Sequence, residues 1–140
     1  MTDFLVWQER WNTDIPDVDE EHMALAQQMN RIAEVLDQPT GGGQQEEDLD
    51  SLLDGFHELA REHFKSEEAV MRQVNYPDYS AHHKEHVMLL AELARYIREI
   101  QHGQSALDIG TLRALRTWFV VHLAEADAAF ANYYHKKMCN

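Results

Sequence analysis

Cysteine is almost absent from this sequence: Cys139, beside the C-terminus, is the single one among 140 residues. One cysteine can form neither a disulfide nor a thiolate metal site within the chain. Histidine and carboxylate are therefore the strong metal ligands that the chain can offer. A chain without disulfides is typical of a reducing compartment, and we expect a cytoplasmic location.

Positive charge is also scarce, with 12 Lys and Arg against 25 Asp and Glu and a formal net charge of −13. Nucleic acids and anionic membrane surfaces bind basic patches, so we expect neither as a partner. No apolar run approaches the about 18 residues that a membrane span needs. Residues 1–11 lack a basic stretch followed by an apolar run, so no signal peptide is predicted.

Alternation of apolar and polar residues over the length of a strand is missing as well, and apolar residues recur instead at helical spacing. This pattern predicts an extended N-terminal arm that packs by its aromatic residues, followed by four helices: residues 1–16, then about 18–37, 46–74, 80–101 and 105–136. Asp17 with Glu20, Ser80, and Ser105 with Asp108 are the predicted helix caps. We therefore expect an all-α fold, an up-down-up-down four-helix bundle, in a single domain of residues 1–140.

Histidine, by contrast, is abundant, with nine residues. Several histidines and one glutamate fall on the apolar stripes of the predicted helices: His22, His63, Glu67, His82, His86 and His122. A buried ionised carboxylate without a partner costs on the order of several kcal/mol or shifts its pKa. So many polar residues on the inner faces of four helices require a shared positive partner, and a bound metal supplies it.

These polar residues are expected to meet at one end of the bundle. They lie near the start of the first and third helices and in the later part of the second and fourth, which antiparallel packing brings together. Imidazole and carboxylate without thiolate suit iron, zinc, manganese or copper. The number of ligands exceeds what one tetrahedral zinc takes, and it fits two metals bridged by carboxylates.

Asp127 is a further candidate, five residues after His122. Five residues turn an ideal α-helix by about 140°, which puts the two side chains on different faces. The helix is apolar nearly all round at this point, so we expect Asp127 to be buried. Its inward aim would require either a side chain that reaches round the helix or a local bulge. Spacing alone does not decide whether Asp127 is a ligand.

Together these residues resemble the signature of a known family. The full set, His22, His63-x-x-x-Glu67, His82-x-x-x-His86 and His122-x-x-x-x-Asp127, is similar to the seven-ligand pattern of the hemerythrins in their bacterial single-domain form. The surroundings agree, with Trp11 before the acidic stretch that leads to His22, Tyr76-Pro77 before His82, and Trp118-x-x-x-His122. The resemblance covers residues 4–135, and no ligand position departs from it.

The resemblance implies a non-haem di-iron centre that binds dioxygen reversibly. One iron would take His82, His86 and His122, and the other would take His22 and His63 and keep an open position. Glu67 and Asp127 would bridge the two irons, with an oxo or hydroxo group as the third bridge. Such a protein would store, deliver or scavenge oxygen and would not be an enzyme.

Helical offset suggests a dry apolar pocket beside the open position, lined by Leu25, Leu59, Trp118 and Phe119. Outside the signature, Glu68 is expected to be solvated and Cys139 to be an exposed thiol. The other histidines are expected at the surface or behind the ligands: His57, His83, His102 and His135.

Two other functions stay open. The same domain could be an oxygen or redox sensor that signals to a partner, or it could be a di-iron oxidase or a protein that handles peroxide or nitric oxide. Delivery or sensing would imply an oxygen-accepting or signalling protein as partner. The histidine-rich set disfavours ferritin-like oxidases, which use Glu-x-x-His ligation.

Overall fold

A computed structural model describes residues 4–36, 44–103 and 108–138, with the backbone alone for 44–48. The helices are α1 (Pro16–Leu36), α2 (Gln44–Gln73), α3 (Tyr79–Gln101), α4 (Ile109–His122) and α5 (Ala128–Met138). A π-helical turn, Leu123–Asp127, joins α4 to α5 into one continuous fourth helix, and a short 3-10 turn, Glu9–Trp11, precedes α1. No strand occurs in the described ranges. The predicted all-α four-helix bundle with an N-terminal arm is confirmed.

The helices pack in the order that short antiparallel connections dictate. Helix α1 packs against α2 and α4, and α2 packs against α3. The tight turn between α2 and α3 contains Asn75, which has a positive φ of 55°. The hydroxyl of Tyr133 on α5 donates to the carbonyls of Val74 and Asn75, so the end of the fourth helix is fixed to this turn.

The start of α1 differs from the prediction. The helix begins at Pro16, where a proline is favoured because the first helical N–H has no intrahelical partner. Asp19, and not an Asp17–Glu20 capping box, fixes the preceding segment: its carboxylate accepts from the Thr13 backbone N–H at 2.7 Å and from the Asp14 N–H at 2.9 Å. The arm therefore ends one residue before Pro16.

Two other predicted caps are wrong as well. Ser80 lies inside α3, which begins at Tyr79. The fourth helix begins at Ile109 rather than at residue 105, and Asp108 is its N-cap, because its carboxylate accepts from the Thr111 N–H at 2.8 Å. Ser105, residues 41–43 and Cys139 lie outside the described residues.

The N-terminal arm packs on the bundle, as predicted. The backbone N–H and carbonyl of Leu5 pair with the Asn30 side chain on α1 at 2.6 and 3.0 Å. Arg116 on α4 donates to the Phe4 carbonyl at 2.7 Å. Trp11 is buried and meets the ring of Trp7 edge-on, with centroids 5.4 Å apart.

The core consists of two apolar clusters with a polar layer between them. The larger cluster contains Leu25, Ala60 and Phe119 among many others, and the smaller one is formed by Ile15, Val18, Met71, Val74, Tyr76 and Phe130. Along α1, α2 and the fourth helix the predicted ligands lie between members of the two clusters. The smaller cluster therefore closes the end of the bundle beyond the polar layer and shields it from solvent.

Among the described helices, none has the length and apolar character that a membrane crossing requires.

Candidate metal centre

The structure brings all seven predicted site residues together in the polar layer. Each is at most 5% exposed, and Glu67 and Asp127 are fully buried. Their donor atoms form two groups within which all atoms lie inside 4.8 Å of one another: Glu67, His82, His86, His122 and Asp127 in one, and His22, His63, Glu67 and Asp127 in the other. We call these the three-histidine group and the two-histidine group. Both contain the same two carboxylates.

Each shared carboxylate divides its oxygens between the groups. Oε1 of Glu67 lies 3.1 Å from Nε2 of His82, while Oε2 lies 3.5 Å from Nε2 of His63. Oδ1 of Asp127 lies 3.2 Å from Nε2 of His82, while Oδ2 lies 3.0 Å from Nε2 of His22. One oxygen of each carboxylate therefore faces each group, which is the arrangement that two bridged cations need.

The π-helical turn explains how Asp127 enters the site. A π-helix closes hydrogen bonds from residue i to i+5 and so returns the fifth residue to the same face. Residues 123–127 adopt this form, and Nε2 of His122 lies 3.1 Å from Oδ1 of Asp127. Of the two routes considered from the sequence, a reaching side chain or a local bulge, the structure adopts the bulge. The i, i+4 pairs on α2 and α3 need no such device, because four residues already return to one face.

Buried polar atoms at the centre of the layer have no hydrogen-bond partner. They include Nε2 of His22, His63 and His82 and both oxygens of Glu67 and Asp127. Although these atoms approach within 3.0–3.5 Å, none makes a hydrogen bond of acceptable geometry. Buried polar groups normally have partners, so this arrangement fits ligation of a cation by all of them.

Three further carboxylates hold the outer nitrogens of the histidines. Glu21 on α1 lies 2.8 Å from Nδ1 of His63 on α2. Glu68 on α2 lies 2.6 Å from Nδ1 of His86 on α3, and Glu85 on α3 lies 2.9 Å from Nδ1 of His122 on α4. Each acid adjoins a predicted ligand in sequence and contacts a histidine of the next helix. A carboxylate behind a ligating imidazole fixes its orientation and raises its basicity.

This outer set also fixes tautomers. If Nδ1 of His86 and of His122 donates its hydrogen to a carboxylate, Nε2 of each neutral ring is a lone-pair acceptor. Those two Nε2 atoms lie only 3.2 Å apart. Two lone pairs at this distance repel each other unless a proton or a metal ion lies between them, so the residues fit a metal here.

The electrostatics of the layer lower the pKa values of Glu67 and Asp127 and raise those of His63, His82 and His122. Burial and the neighbouring Asp127 raise the pKa of Glu67, but His63, His82 and His86 outweigh them and lower that pKa below its usual range. Burial lowers the pKa of His63, but the hydrogen bond to Glu21 and the contact with Glu67 outweigh it and raise that pKa to about 10.

His82 and Asp127 follow the same pattern. Burial lowers the pKa of His82, but Asp127 and Glu67 outweigh it and raise the pKa to about 9. Burial raises the pKa of Asp127, but His122, His22 and His82 outweigh it and hold that pKa well below its usual range. In the metal-free protein, protons on these histidines therefore supply the positive charge that a bound metal would otherwise provide.

The expectation that Glu68 is solvated is wrong. Glu68 is 8% exposed, and its second oxygen lies 2.6 Å from Nδ1 of His83. Sequence reasoning missed Glu68 as well as Glu21 and Glu85. The available signal was their position directly beside a predicted ligand, since ligating histidines usually donate their outer N–H to a carboxylate.

A small cavity adjoins the two-histidine group. It has room for about one water-sized molecule, and apolar residues form most of its wall: Leu25, Phe56, Ala60, Phe64, Trp118 and Phe119. His22 and His63 complete the lining together with His122 and Asp127. Leu59 does not line the cavity, contrary to expectation, because its side chain is 37% exposed to solvent.

Comparisons with known proteins point to one family. A family model described as the hemerythrin HHE cation binding domain matches residues 13–134. The chain is 26% identical over 120 residues to the bacteriohemerythrin of Methylococcus capsulatus, covering 86% of this chain and 88% of that protein. It is 29% identical over 131 residues to that of Stenotrophomonas maltophilia, covering 91% and 80%. The fold is similar to that of the crystal structure of wild-type hemerythrin, with a TM-score of 0.83, 23% identity and coverage of 94% and 98%.

Proposed function

The chain belongs to the hemerythrin family, and from this premise we propose that it binds dioxygen reversibly at a non-haem di-iron centre. The observation that carries the proposal is the division of the Glu67 and Asp127 oxygens between two histidine groups. One metal ion would leave half of these oxygens without a partner. Two ions, bridged by both carboxylates, would give all four of these oxygens a partner.

The ligands follow from the two groups. His82, His86 and His122 hold one iron, and His22 and His63 hold the other, with Glu67 and Asp127 common to both. The three-histidine group thus offers five protein ligands and the two-histidine group offers four. The group with four protein ligands would leave its iron more room to bind dioxygen than the group with five.

A pair of ferrous ions, when bound, supplies the two electrons that reversible binding of dioxygen requires. The chain contributes the surroundings. Apolar side chains at the cavity keep water from the two-histidine group, while the buried carboxylates offset the charge of the cations. The cavity wall carries no acid or base beyond the proposed ligands, so binding without further chemistry is favoured over turnover of a substrate.

Under this proposal the protein is an oxygen-binding protein and not an enzyme. A single domain of residues 1–140 in the cytoplasm would store, deliver or scavenge oxygen, and delivery would need an oxygen-accepting protein as partner. The low cysteine count supports the location, and the apolar cavity beside an incompletely ligated group supports the oxygen chemistry.

Metal analysis of the purified protein tests the centre. We expect two iron ions per chain, bound with similar occupancy. One zinc ion per chain would contradict the proposal, because a tetrahedral site uses four ligands and would leave the remaining buried donors unpaired.

A further inference from the structure

Glu68 lies between one proposed iron ligand and one histidine at the surface. Its Oε2 is 2.6 Å from Nδ1 of His86, and its Oε1 is 2.6 Å from Nδ1 of His83. The carboxylate is buried, whereas the His83 side chain is 47% exposed. Each oxygen of Glu68 thus contacts one imidazole. Glu68 and His83 together connect the three-histidine group to the surface.

His86, the partner of Glu68 on the side of the proposed metal centre, is held rigidly. The ring of Phe64 stacks on His86 with centroids 3.9 Å apart and an interplanar angle of 5°. Phe64 therefore restrains the imidazole by stacking on its face, and Glu68 restrains it by contacting Nδ1 at its edge. Rotation of the ring would break both contacts at once, so Nε2 keeps its direction toward the three-histidine group.

The partner at the surface side is held as well. The ring of His83 stacks on Tyr79 with centroids 5.8 Å apart and an angle of 13°. The hydroxyl of Tyr79 accepts a hydrogen bond from Arg72 on α2 at 2.7 Å. A connected set of contacts therefore keeps His83 over Glu68 and limits the access of water to the carboxylate.

The three carboxylates behind the histidines differ in burial. The side chain of Glu68 is 10% exposed, while those of Glu21 and Glu85 are 35% and 45% exposed. Solvent screens an exposed charge, so the buried carboxylate donates electron density to its imidazole most strongly. The strongest effect therefore falls on His86, which belongs to the three-histidine group.

We propose that Glu68, supported by His83, is a positioning residue that holds His86 and makes the iron of the three-histidine group the more electron-rich of the two. The inference rests on the proposed function, since it concerns the iron pair. A more basic imidazole stabilises the ferric state. Glu68 would thereby lower the reduction potential of an iron held by the three-histidine group.

The test compares Glu68→Gln with His83→Ala and with the control Glu62→Gln, whose side chain is 55% exposed on the same helix. Removal of iron by a chelator and the midpoint potential of the iron pair are measured in each. Glu68→Gln keeps the shape but loses the charge, so we expect about 10–100-fold weaker retention of one iron and a higher midpoint potential. His83→Ala should raise the potential less and keep both irons, and Glu62→Gln should match the wild type.

Two outcomes would overturn the inference. Glu68→Gln could match the wild type in both measurements, or it could lower only the thermal stability and leave potential and retention unchanged, as a purely structural residue would. Failure of the proposed function is distinguishable, because the wild-type protein itself would then fail to hold two irons. Zinc-loaded protein gives an independent readout, since the His86 Nδ1–H resonance should move upfield in Glu68→Gln.

Discussion

Glu67 and Asp127 are oriented alike: in each carboxylate one oxygen faces the three-histidine group and the other faces the two-histidine group. They come from different helices, α2 and the π-helical turn. Both are fully buried, and the ion-pair contacts of each are made to histidines. Two metal ions between the histidine groups would compensate both charges.

Replacement of Glu67 tests this relationship. We expect Glu67→Ala to lose the iron pair, because each metal would lose one ligand and the bridge. The protein should also lose about 3–5 kcal/mol of its free energy of unfolding, since removal of one member of a buried charged network leaves the others unpaired. Iron content and urea denaturation measure the two effects. Glu62→Ala is the control on the exposed side of α2, and wild-type iron content in Glu67→Ala would contradict the assignment.

His83 and His86, three residues apart on α3, provide a second, internally matched comparison. His86→Ala should lose iron, because His86 is 1% exposed and contributes Nε2 to the three-histidine group. His83→Ala should retain two irons per chain, because this side chain is 47% exposed and contacts the outer carboxylate and Tyr79 rather than the proposed metal ligands. Iron analysis of the two variants side by side measures the difference. Equal loss of iron in the His83→Ala and His86→Ala variants would show that the ligands are assigned incorrectly.

The apolar cavity predicts an effect on oxidation. Leu25→Ala should enlarge the cavity beside His22 and admit water, so autoxidation of the iron pair should accelerate. Loss of a buried leucine also costs about 2–5 kcal/mol of stability. Leu53→Ala is the matched control, because Leu53 is equally buried in the same apolar cluster but does not line the cavity.

The two leucine variants separate stability from water exclusion. Both should lower the midpoint of thermal unfolding, whereas only Leu25→Ala should shorten the lifetime of the oxygenated form. The decay of the oxygenated spectrum at a temperature well below unfolding gives this lifetime. Equal lifetimes in the two variants would contradict the role of the cavity.

The metal-free protein should lose stability at alkaline pH. The pKa values of His63 and His82 rise from 6.5 to about 10 and about 9 on folding. Their contribution is therefore fully present below about pH 6.5 and disappears as the pH rises through 9 to 10. The lowered pKa values of Glu67 and Asp127 act oppositely: their contribution is present above the ordinary values of 4.5 and 3.8 and is lost as the pH falls below them.

Urea denaturation of the metal-free protein at pH 7 and pH 10.5 checks this prediction. The free energy of unfolding should be lower at pH 10.5, and iron loading at pH 7 should release protons, because ligating histidines must be deprotonated. A pH indicator in weak buffer records that release. Equal stability at both pH values, together with no proton release, would contradict the charge state assigned to the layer.

Most of the proposed ligand set could be predicted from the sequence because buried polar residues are conspicuous on an apolar helical stripe. His63 with Glu67 and His82 with His86 repeat at i, i+4, and simple helical geometry then gives their common face. Asp127 could not be placed in this way. A π-helical turn depends on local packing that helical periodicity does not encode, so the choice between bulge and reaching side chain needed the structure.

The errors of the sequence interpretation have physical causes. Glu68 looked solvated because it follows another glutamate, yet its partners lie on a different helix, beyond the reach of local patterns. Helical offset predicts Leu59 in the cavity wall, but the buried face of α2 runs through Phe56 and Ala60. The start of α1 differs for a local reason: Asp19 accepts from the backbone of Thr13 and Asp14, six and five residues earlier, a pattern that a capping box of i, i+3 spacing does not include.

Reversible binding of oxygen is the defining property of the proposed centre and can be measured by absorption spectroscopy. The anaerobic ferrous protein is exposed to oxygen, its visible absorption spectrum is recorded, and the oxygen is then removed. We expect a new absorption band that disappears on deoxygenation and returns over repeated cycles. A spectrum that does not change, or a band that forms once and never reverses, would contradict reversible dioxygen binding.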